Sequence, residues 1–219
     1  MDILYLDQWL IVINKPSGLL SIQDGYDLSL PHVRTLIEPE YGKCWVVHRL
    51  DKETSGVLIL SRSEESHRVI SVLFEQRKIN KTYHAIVYGE LIETQRIINL
   101  PLIINGDRKH RTRIDLVKGK AASTSIELLH SNRIISEVKA MPHTGYTHQI
   151  RAHLSYIGHP IVGDSLYSSK VSINISPELI NRLALHSSSV EFIHPFTNEP
   201  IKINAPYPSD FLSIRSLIK

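Results

Sequence analysis

Apolar and polar residues alternate over many short stretches of this 219-residue chain, and this pattern predicts strands more often than helices. Near the N-terminus, two strands at 3–5 and 9–14 are separated by Asp7 and followed by a turn that begins at Pro16. Further strands are predicted at 45–47, 56–61, 81–89, 95–100, 112–117, 123–129 and 134–141, with two late ones near Val190 and Ile201.

Helical periodicity is strongest in two segments. Ser63 is placed as an N-cap, with acidic residues in the first turn that follows and an apolar stripe formed by Val69, Ile70, Leu73 and Phe74. The stretch THQIRAHLSYIG, residues 147–158, predicts a second helix that Thr147 caps and that ends before Gly158. Shorter helices are expected after Pro31 and at 177–185.

The order of these elements indicates the fold class. Most strands follow one another directly along the chain, which favours an α+β fold around a largely antiparallel, mixed sheet with flanking helices. Neither an internal repeat nor a low-complexity linker interrupts the sequence. The chain is therefore predicted to form a single domain, 1–219.

Composition limits the function classes without choosing one. The chain has 42% hydrophobic and 21% charged residues, with a net charge of +3, which permits a nucleic-acid partner without requiring one. Cys44 is the only cysteine, so neither an internal disulfide nor a thiolate zinc site can form. The N-terminus has acidic residues where a secretory signal would carry positive charge, and its apolar run WLIVI is too short to cross a membrane, so neither export nor membrane insertion is expected. A cytoplasmic protein without a membrane partner is expected.

Candidate chemistry begins with Asp51, which lies in the segment VHRLDKETSG on a predicted loop between two strands. Loops held by a rigid sheet often carry catalytic groups. Taken alone, the segment favours a structural aspartate that caps a turn or pairs with Arg49 at the surface.

Five segments in order carry a family resemblance: NKPSGLLS, VHRLDKETSGVLIL, KTYHAIVYG, HTGYTHQIRAHLSYIGHPIVGD and RLALHS. Together they resemble the RluA-type RNA pseudouridine synthases over about residues 3–207. The resemblance implies the pseudouridine synthase fold with a central RNA-binding cleft. It also implies isomerisation of a specific uridine in a stem-loop of tRNA or large-subunit rRNA, without a cofactor. Many relatives carry an N-terminal RNA-binding domain, which this chain is expected to lack.

The same resemblance assigns three catalytic residues. Asp51 is the catalytic carboxylate, Arg151 its ion-pair partner, and Tyr83 the aromatic ring that stacks on the target base and could act as general base. From the residues alone, Arg151 could be a solvated helical charge and Tyr83 a core residue, since Tyr83, Ala85 and Val87 share one face of a predicted strand.

Other residues are assigned to RNA. The target uridine must leave its stack, and Arg49 is expected to enter the vacated space, while Leu185 walls the uracil pocket. Lys15 is predicted to touch phosphate, and the basic run 107–113, with Arg108 and Arg111, is read as an electrostatic contact or else as an exposed hairpin tip. The remaining expected RNA contacts are His48, Lys81, Tyr146 and His148. Tyr146 stands where the family usually has arginine. This position therefore loses a phosphate contact or exchanges it for stacking on a base.

Three other functions fit the sequence less well than RNA pseudouridine synthesis. A histidine-based metal site is disfavoured, because His148 and His153 are five residues apart and lack the acid of a metallohydrolase motif. A nucleoside or glycoside hydrolase normally needs two opposed carboxylates, and only Glu53 lies near Asp51. A non-catalytic RNA-binding module would not need Asp51, Tyr83 and Arg151 together. The expected protein is a monomer that binds RNA and neither a metal nor a cofactor.

Overall fold

A computed structural model describes residues 1–108, 111–168 and 179–218 of the chain. The chain divides into two compact units, one formed by Met1–Lys81 with Ser187–Pro206 and the other by Thr82–His186 with Tyr207–Lys219. Each unit is built on strands that pair mainly with antiparallel neighbours. This agrees with the predicted α+β class.

The first unit is organised around two central strands. Its elements are β1 (Ile3–Leu6), β2 (Leu10–Lys15), α1 (Val33–Tyr41), β3 (Trp45–Val46), β4 (Ser55–Ser61), α2 (Glu64–Glu75), most of β11 (Leu185–Ile193) and β12 (Pro200–Asn204). β2 pairs antiparallel with both β1 and β4, and β4 lies between β2 and β11. Every residue of β4 is buried, so both faces of the sheet are covered along this strand.

A close backbone approach also fixes the start of β4. Gly56 has φ of +109°, and a Cβ at this position would collide with the backbone of Ser187. Only glycine allows β4 and β11 to come this close. Leu10, Val12 and Ile59 of β2 and β4 then join the apolar cluster beneath α2.

The second unit is an antiparallel meander with added helices. Its elements are β5 (Asn80–Tyr88, apart from its first two residues), β6 (Gln95–Asn99), β7 (Leu102–Ile103), β8 (Arg113–Ile114), β9 (Ser123–Ser131), β10 (Ile135–Pro142), α3 (Gln149–Tyr156) and α4 (Ser209–Arg215). The strand order is β5-β10-β9-β6, and β7 and β8 form a separate two-stranded hairpin.

A buried carboxylate fastens the C-terminal segment to this meander. Glu137 of β10 is fully buried, and its Oε2 accepts a hydrogen bond of 2.8 Å from Nε of Arg215 in α4. The Tyr207 hydroxyl lies 2.6 Å from Nδ1 of His84, whose ring faces the same carboxylate at 3.5 Å. Neighbouring Arg215 and His84 hold the pKa of Glu137 below its usual value, although burial opposes this shift.

Most predicted elements are confirmed to within a few residues, including the helix that Ser63 caps by accepting a hydrogen bond from the Ser66 amide. α4 and β7 were not predicted, and the strand expected at 112–117 is limited to Arg113–Ile114. The N-cap of α3 is His148, with φ of 55°, rather than Thr147. Gly158 follows the helix with φ of +91°, as predicted.

The helix expected at 177–185 is wrong for the part that the structure describes, which begins at residue 179. Ala184 is extended, and its backbone bonds to Val162 and Ile86, while Leu185 already belongs to β11. These strand-like backbone partners replace the hydrogen bonds that a helix would have made within the segment.

Candidate active site

Asp51 lies on the loop between β3 and β4, where the sequence placed it. Its side chain is half-buried, and its carbonyl accepts a hydrogen bond of 3.0 Å from the Thr54 amide, which closes a tight turn. Arg49, two residues earlier, is exposed, while Leu50 between them is buried. The loop therefore has one anchored apolar residue with a charged residue on either side of it.

Two serines of the segment NKPSGLLS hold the backbone of this loop. Ser21 Oγ donates to the Leu50 carbonyl at 2.8 Å and accepts from the Leu50 amide at 3.0 Å. Ser17 Oγ donates to the Glu53 carbonyl at 2.8 Å. The residues on both sides of Asp51 are thus tied to the same neighbouring segment.

Lys15 completes this anchoring from inside the unit. Its side chain is fully buried, and Nζ donates to the carbonyls of Pro16, Leu19 and Lys52 at 2.9, 2.7 and 3.0 Å. The amide of Gly18 donates to the same Lys52 carbonyl at 2.9 Å. Because an ammonium group has three donors, these carbonyls match its full capacity. The predicted phosphate contact of Lys15 is therefore corrected, since a buried side chain cannot reach a phosphate.

We call the side chains of Lys15, Ser17 and Ser21 the loop clamp. They bind the backbone of the residue before Asp51 and of the two residues after it. Fixing the backbone on both sides of a carboxylate restricts the positions that this carboxylate can take. Such restriction is what a reacting group needs, because its orientation then costs no further entropy.

His48 has a structural contact, and its predicted RNA contact stays a prediction. Its Nε2 accepts a hydrogen bond of 2.9 Å from the Ile59 amide, and its ring stacks on Phe74 with centroids 4.5 Å apart. Burial, assisted by the charge of Lys81, lowers the pKa of His48 to about 3. The ring is therefore neutral at physiological pH, and its acceptor nitrogen is used inside the fold.

Lys81 itself is half-buried at the start of β5. Burial and the charge of Arg77 lower the pKa of its ammonium group. Its predicted contact with RNA stays a prediction.

In the second unit, Tyr83 and Leu185 are both buried. Tyr83 lies on β5 opposite Ala140 of β10 and is 9% exposed, and Leu185 is the first residue of β11. Burial of this extent is compatible with a pocket wall and also with a core position. Their roles toward a uracil base stay predictions.

Arg151 forms a buried ion pair that sequence reasoning missed. Its Nε and Nη2 donate to Oδ2 and Oδ1 of Asp164 at 2.7 and 2.8 Å, and both side chains are almost fully buried. A solvated surface arginine is thus excluded. The pair uses two of the five N–H donors of the guanidinium and fixes its plane. The sequence did contain a signal for Asp164, because this residue ends HTGYTHQIRAHLSYIGHPIVGD, one of the segments that carry the family resemblance.

The aromatic residues around this ion pair also make internal contacts. The Arg151 guanidinium lies 5.2 Å from the ring centre of Tyr167, and the Tyr167 hydroxyl is 3.3 Å from Nδ1 of His148. Tyr146 packs against an apolar cluster that includes Leu102. Tyr146 and His148 therefore each have a packing contact within the second unit, and their predicted RNA contacts stay predictions.

The basic run 107–113 is less available than its sequence indicated. Arg111 pairs with Asp107 through Nε at 2.7 Å, and its Nη1 donates to the Leu166 carbonyl at 2.9 Å. Arg111 therefore braces the fold, and its predicted contact with RNA stays a prediction. Arg108 is exposed, as predicted for a phosphate contact, whereas residues 109 and 110 lie outside the described residues.

Neither a cluster of metal-ligating side chains nor a membrane-spanning helix occurs among the described residues. Across 1–108, 111–168 and 179–218, His, Cys, Asp and Glu side chains nowhere gather in the groups of three that a metal ion would need. Within the same ranges, every helix is too short or too polar to cross a bilayer.

The loop clamp predicts the effect of Lys15→Met. Removing the ammonium takes this donor from the carbonyls of Pro16 and Leu19, while the Lys52 carbonyl keeps the Gly18 amide, so the free energy of unfolding should fall by roughly 2–4 kcal/mol. Lys52→Met is the matched control, since Lys52 is exposed and only its backbone carbonyl takes part. Urea denaturation of the three proteins measures the difference. A Lys15 variant of unchanged stability and weaker RNA binding would instead support the phosphate contact.

The buried ring of His48 predicts a pH effect on stability. Because its pKa is lowered in the folded state, folding favours the neutral ring, and this contribution is complete above the unfolded pKa of about 6.5. It is lost as the pH falls from about 6.5 toward the folded value of about 3. His48→Gln should therefore show a shallower loss of stability between pH 6.5 and 4 than the unchanged protein. Equal slopes, or a His48 NMR resonance that titrates near pH 6.5, would contradict this assignment.

Comparison with known proteins places this geometry in a family. Residues 9–156 match the family model described as RNA pseudouridylate synthase. The chain is 38% identical over 212 residues to the dual-specificity RNA pseudouridine synthase RluA of Haemophilus influenzae, which covers 96% of this chain and 94% of the relative. It is 34% identical over 207 residues to ribosomal large subunit pseudouridine synthase C of Vibrio vulnificus, covering 93% of this chain and 65% of that relative.

A solved structure supports the fold. The structure of human RNA pseudouridylate synthase domain containing 4 superposes with a TM-score of 0.78 at 25% identity, covering 98% of this chain and 92% of that one. The resemblance carried by the five sequence segments is therefore confirmed, and the chain belongs to the RNA pseudouridylate synthase family.

Proposed function

We propose that this RNA pseudouridine synthase isomerises a specific uridine in a stem-loop of tRNA or large-subunit rRNA, with Asp51 as its catalytic carboxylate. The observation that carries the proposal is the loop clamp, which fixes the backbone on both sides of Asp51. A loop that carries a reacting group needs its backbone fixed in this way, because the position of the carboxylate then costs no further entropy. The rRNA alternative draws on the name of the Vibrio vulnificus relative and the tRNA alternative on the family resemblance.

The reaction moves the uracil without adding or removing an atom. The bond from the ribose anomeric carbon to a ring nitrogen breaks, the base rotates, and a bond to a ring carbon forms. That carbon loses its proton, and the released nitrogen gains one. A carboxylate can serve this sequence as a nucleophile or as a stabiliser of positive charge on the sugar. No redox step occurs, which is consistent with a proposal that includes neither a metal nor a cofactor.

Arg151 is proposed to hold Asp51 in its charged form. Asp164 orients the guanidinium from inside the second unit, which is the geometry expected of an arginine whose direction matters. Tyr83 is proposed to stack on the uracil ring and Leu185 to bound it on another side. Arg49, which is exposed beside the anchored Leu50, is proposed to occupy the space that the extruded base leaves in the RNA.

The proposed state of the protein is a cytoplasmic monomer that binds RNA through this catalytic region. Phosphate contacts by exposed arginines and lysines would make RNA binding weaken steeply with salt.

Asp51→Asn tests the catalytic assignment. The amide keeps the size of the side chain and removes its charge, so RNA affinity should change little while pseudouridine formation falls at least about a thousandfold. Glu53→Gln is the matched control, since Glu53 is an exposed carboxylate on the same loop. Purified proteins would be assayed for RNA binding, and pseudouridines in total RNA from complemented cells would be mapped after carbodiimide treatment.

The same assay separates the rival functions. Full activity of Asp51→Asn would remove Asp51 from the mechanism, and loss of activity in Glu53→Gln would favour a two-carboxylate hydrolase. Release of free uracil, measured by chromatography, would identify hydrolysis rather than isomerisation. RNA binding without pseudouridine formation by the unchanged protein would leave only a binding module.

A further inference from the structure

A surface loop at the end of the β7–β8 hairpin presents two adjacent apolar side chains to solvent. Leu116 is 71% exposed and Val117 is 90% exposed. Both lie in the loop after β8, between Asp115 and Gly119. Large apolar side chains exposed together at a tip often mark a contact surface, whereas single ones need no explanation.

The loop is rigid rather than a mobile tip. Asp115 Oδ1 accepts from the amides of Val117 and Lys118 at 3.0 and 2.8 Å, and the Asp115 carbonyl accepts from the Gly119 amide at 3.0 Å. These hydrogen bonds lower the pKa of Asp115, so its carboxylate stays charged and bound to the backbone. The backbone that carries Leu116 and Val117 is therefore held in one turn before any partner binds.

The base of the loop is fixed just as firmly. The amide and carbonyl of Leu102 exchange hydrogen bonds with Lys120 at 2.9 and 2.8 Å, and the Asp115 amide donates to the Pro101 carbonyl at 3.1 Å. A Cβ at Gly119 would collide with the backbone of Pro101 and Asp115. The loop is thus packed onto the start of the hairpin, with no space between them.

The surroundings of the apolar pair are positively charged. Arg113, Lys118 and Lys120 are exposed within three residues of the pair, and the charges of Lys118 and Arg113 act on the neighbouring Asp115. The nearby acid, Asp115, is bound to the backbone amides of its own loop. A rigid apolar tip bordered by cations fits a polyanion that also offers apolar surface.

We propose that residues 113–120 form an RNA-contacting wedge. In this wedge Leu116 and Val117 pack against the base or ribose faces of unpaired nucleotides, and Arg113, Lys118 and Lys120 bind the flanking phosphates. The proposal rests on the proposed function, because it concerns how the same RNA substrate is held. RNA is favoured over a protein partner because the cations border the apolar pair closely. Inserted apolar side chains and phosphate-binding cations are the usual combination at such nucleic-acid contacts.

Two sets of variants separate the apolar and ionic parts of the wedge. The double variant Leu116→Ser, Val117→Ser should bind RNA about tenfold more weakly, with an unchanged dependence on salt. The triple variant Arg113→Gln, Lys118→Gln, Lys120→Gln should also bind more weakly, and its log–log salt slope should be smaller by about 1 for each lost phosphate contact. Ile92→Ser is the matched control, because Ile92 is 86% exposed elsewhere in the second unit.

Binding would be measured with unmodified transcripts of tRNA and of large-subunit rRNA, and KM with the transcript that the unchanged protein modifies. Thermal unfolding of each variant tests that the fold is retained. A Leu116, Val117 double variant with the affinity and KM of the Ile92→Ser control would overturn the wedge, as would an unchanged salt slope in the triple variant. Failure of the proposed function is a separate result, in which the unchanged protein forms no pseudouridine in either transcript.

Discussion

The buried ammonium group of Lys15 is the constraint on which the candidate active site depends. Moving a charge out of water costs several kcal/mol unless hydrogen bonds replace its hydration, and here backbone carbonyls do so. Two of these carbonyls belong to the turn 16–19 and one, at Lys52, to the loop that carries Asp51. The turn and the loop must therefore form together, since either one alone would leave the charge unsatisfied.

The second unit follows the same physical rule with buried arginine–carboxylate contacts. Arg151 and Asp164 satisfy each other through two parallel hydrogen bonds, and the Glu137 carboxylate is met by Arg215 from the C-terminal helix. In each case a buried charge fixes a particular piece of chain, namely helix α3 or helix α4. Such pairs add little to stability compared with apolar replacements, and their effect is mainly to select one arrangement.

Periodicity was enough to predict the local structure where one face of an element is buried. The helix at Glu64–Glu75 and the strands around it were found because their apolar residues repeat at helical or alternating spacing. The short C-terminal helix Ser209–Arg215 was missed, because its place is set by the tertiary contact between Arg215 and Glu137 rather than by its own pattern. Resemblance of segments, rather than periodicity, identified the family.

The sequence could place Asp51 on a loop but could not show what holds that loop. A lysine before Pro-Ser-Gly reads as an exposed cation, and only the fold brings the Lys52 carbonyl to it from 37 residues away. His48 and Arg111 make unforeseen contacts of the same kind, since a polar residue in a motif can also bond to the backbone of the fold. Long-range hydrogen bonds of this kind leave no local pattern in the chain.

The central claim is that the clamped backbone around Asp51 sets the rate of the chemical step. Ser21→Ala tests it most directly, because it removes both hydrogen bonds to Leu50 without touching a charge, and Ser29→Ala at an exposed position is its control. Amide hydrogen exchange over residues 50–54 would be measured beside the single-turnover rate of pseudouridine formation. The account predicts faster exchange and a rate lower by at least about tenfold, with RNA affinity unchanged. Faster exchange with an unchanged single-turnover rate would contradict it.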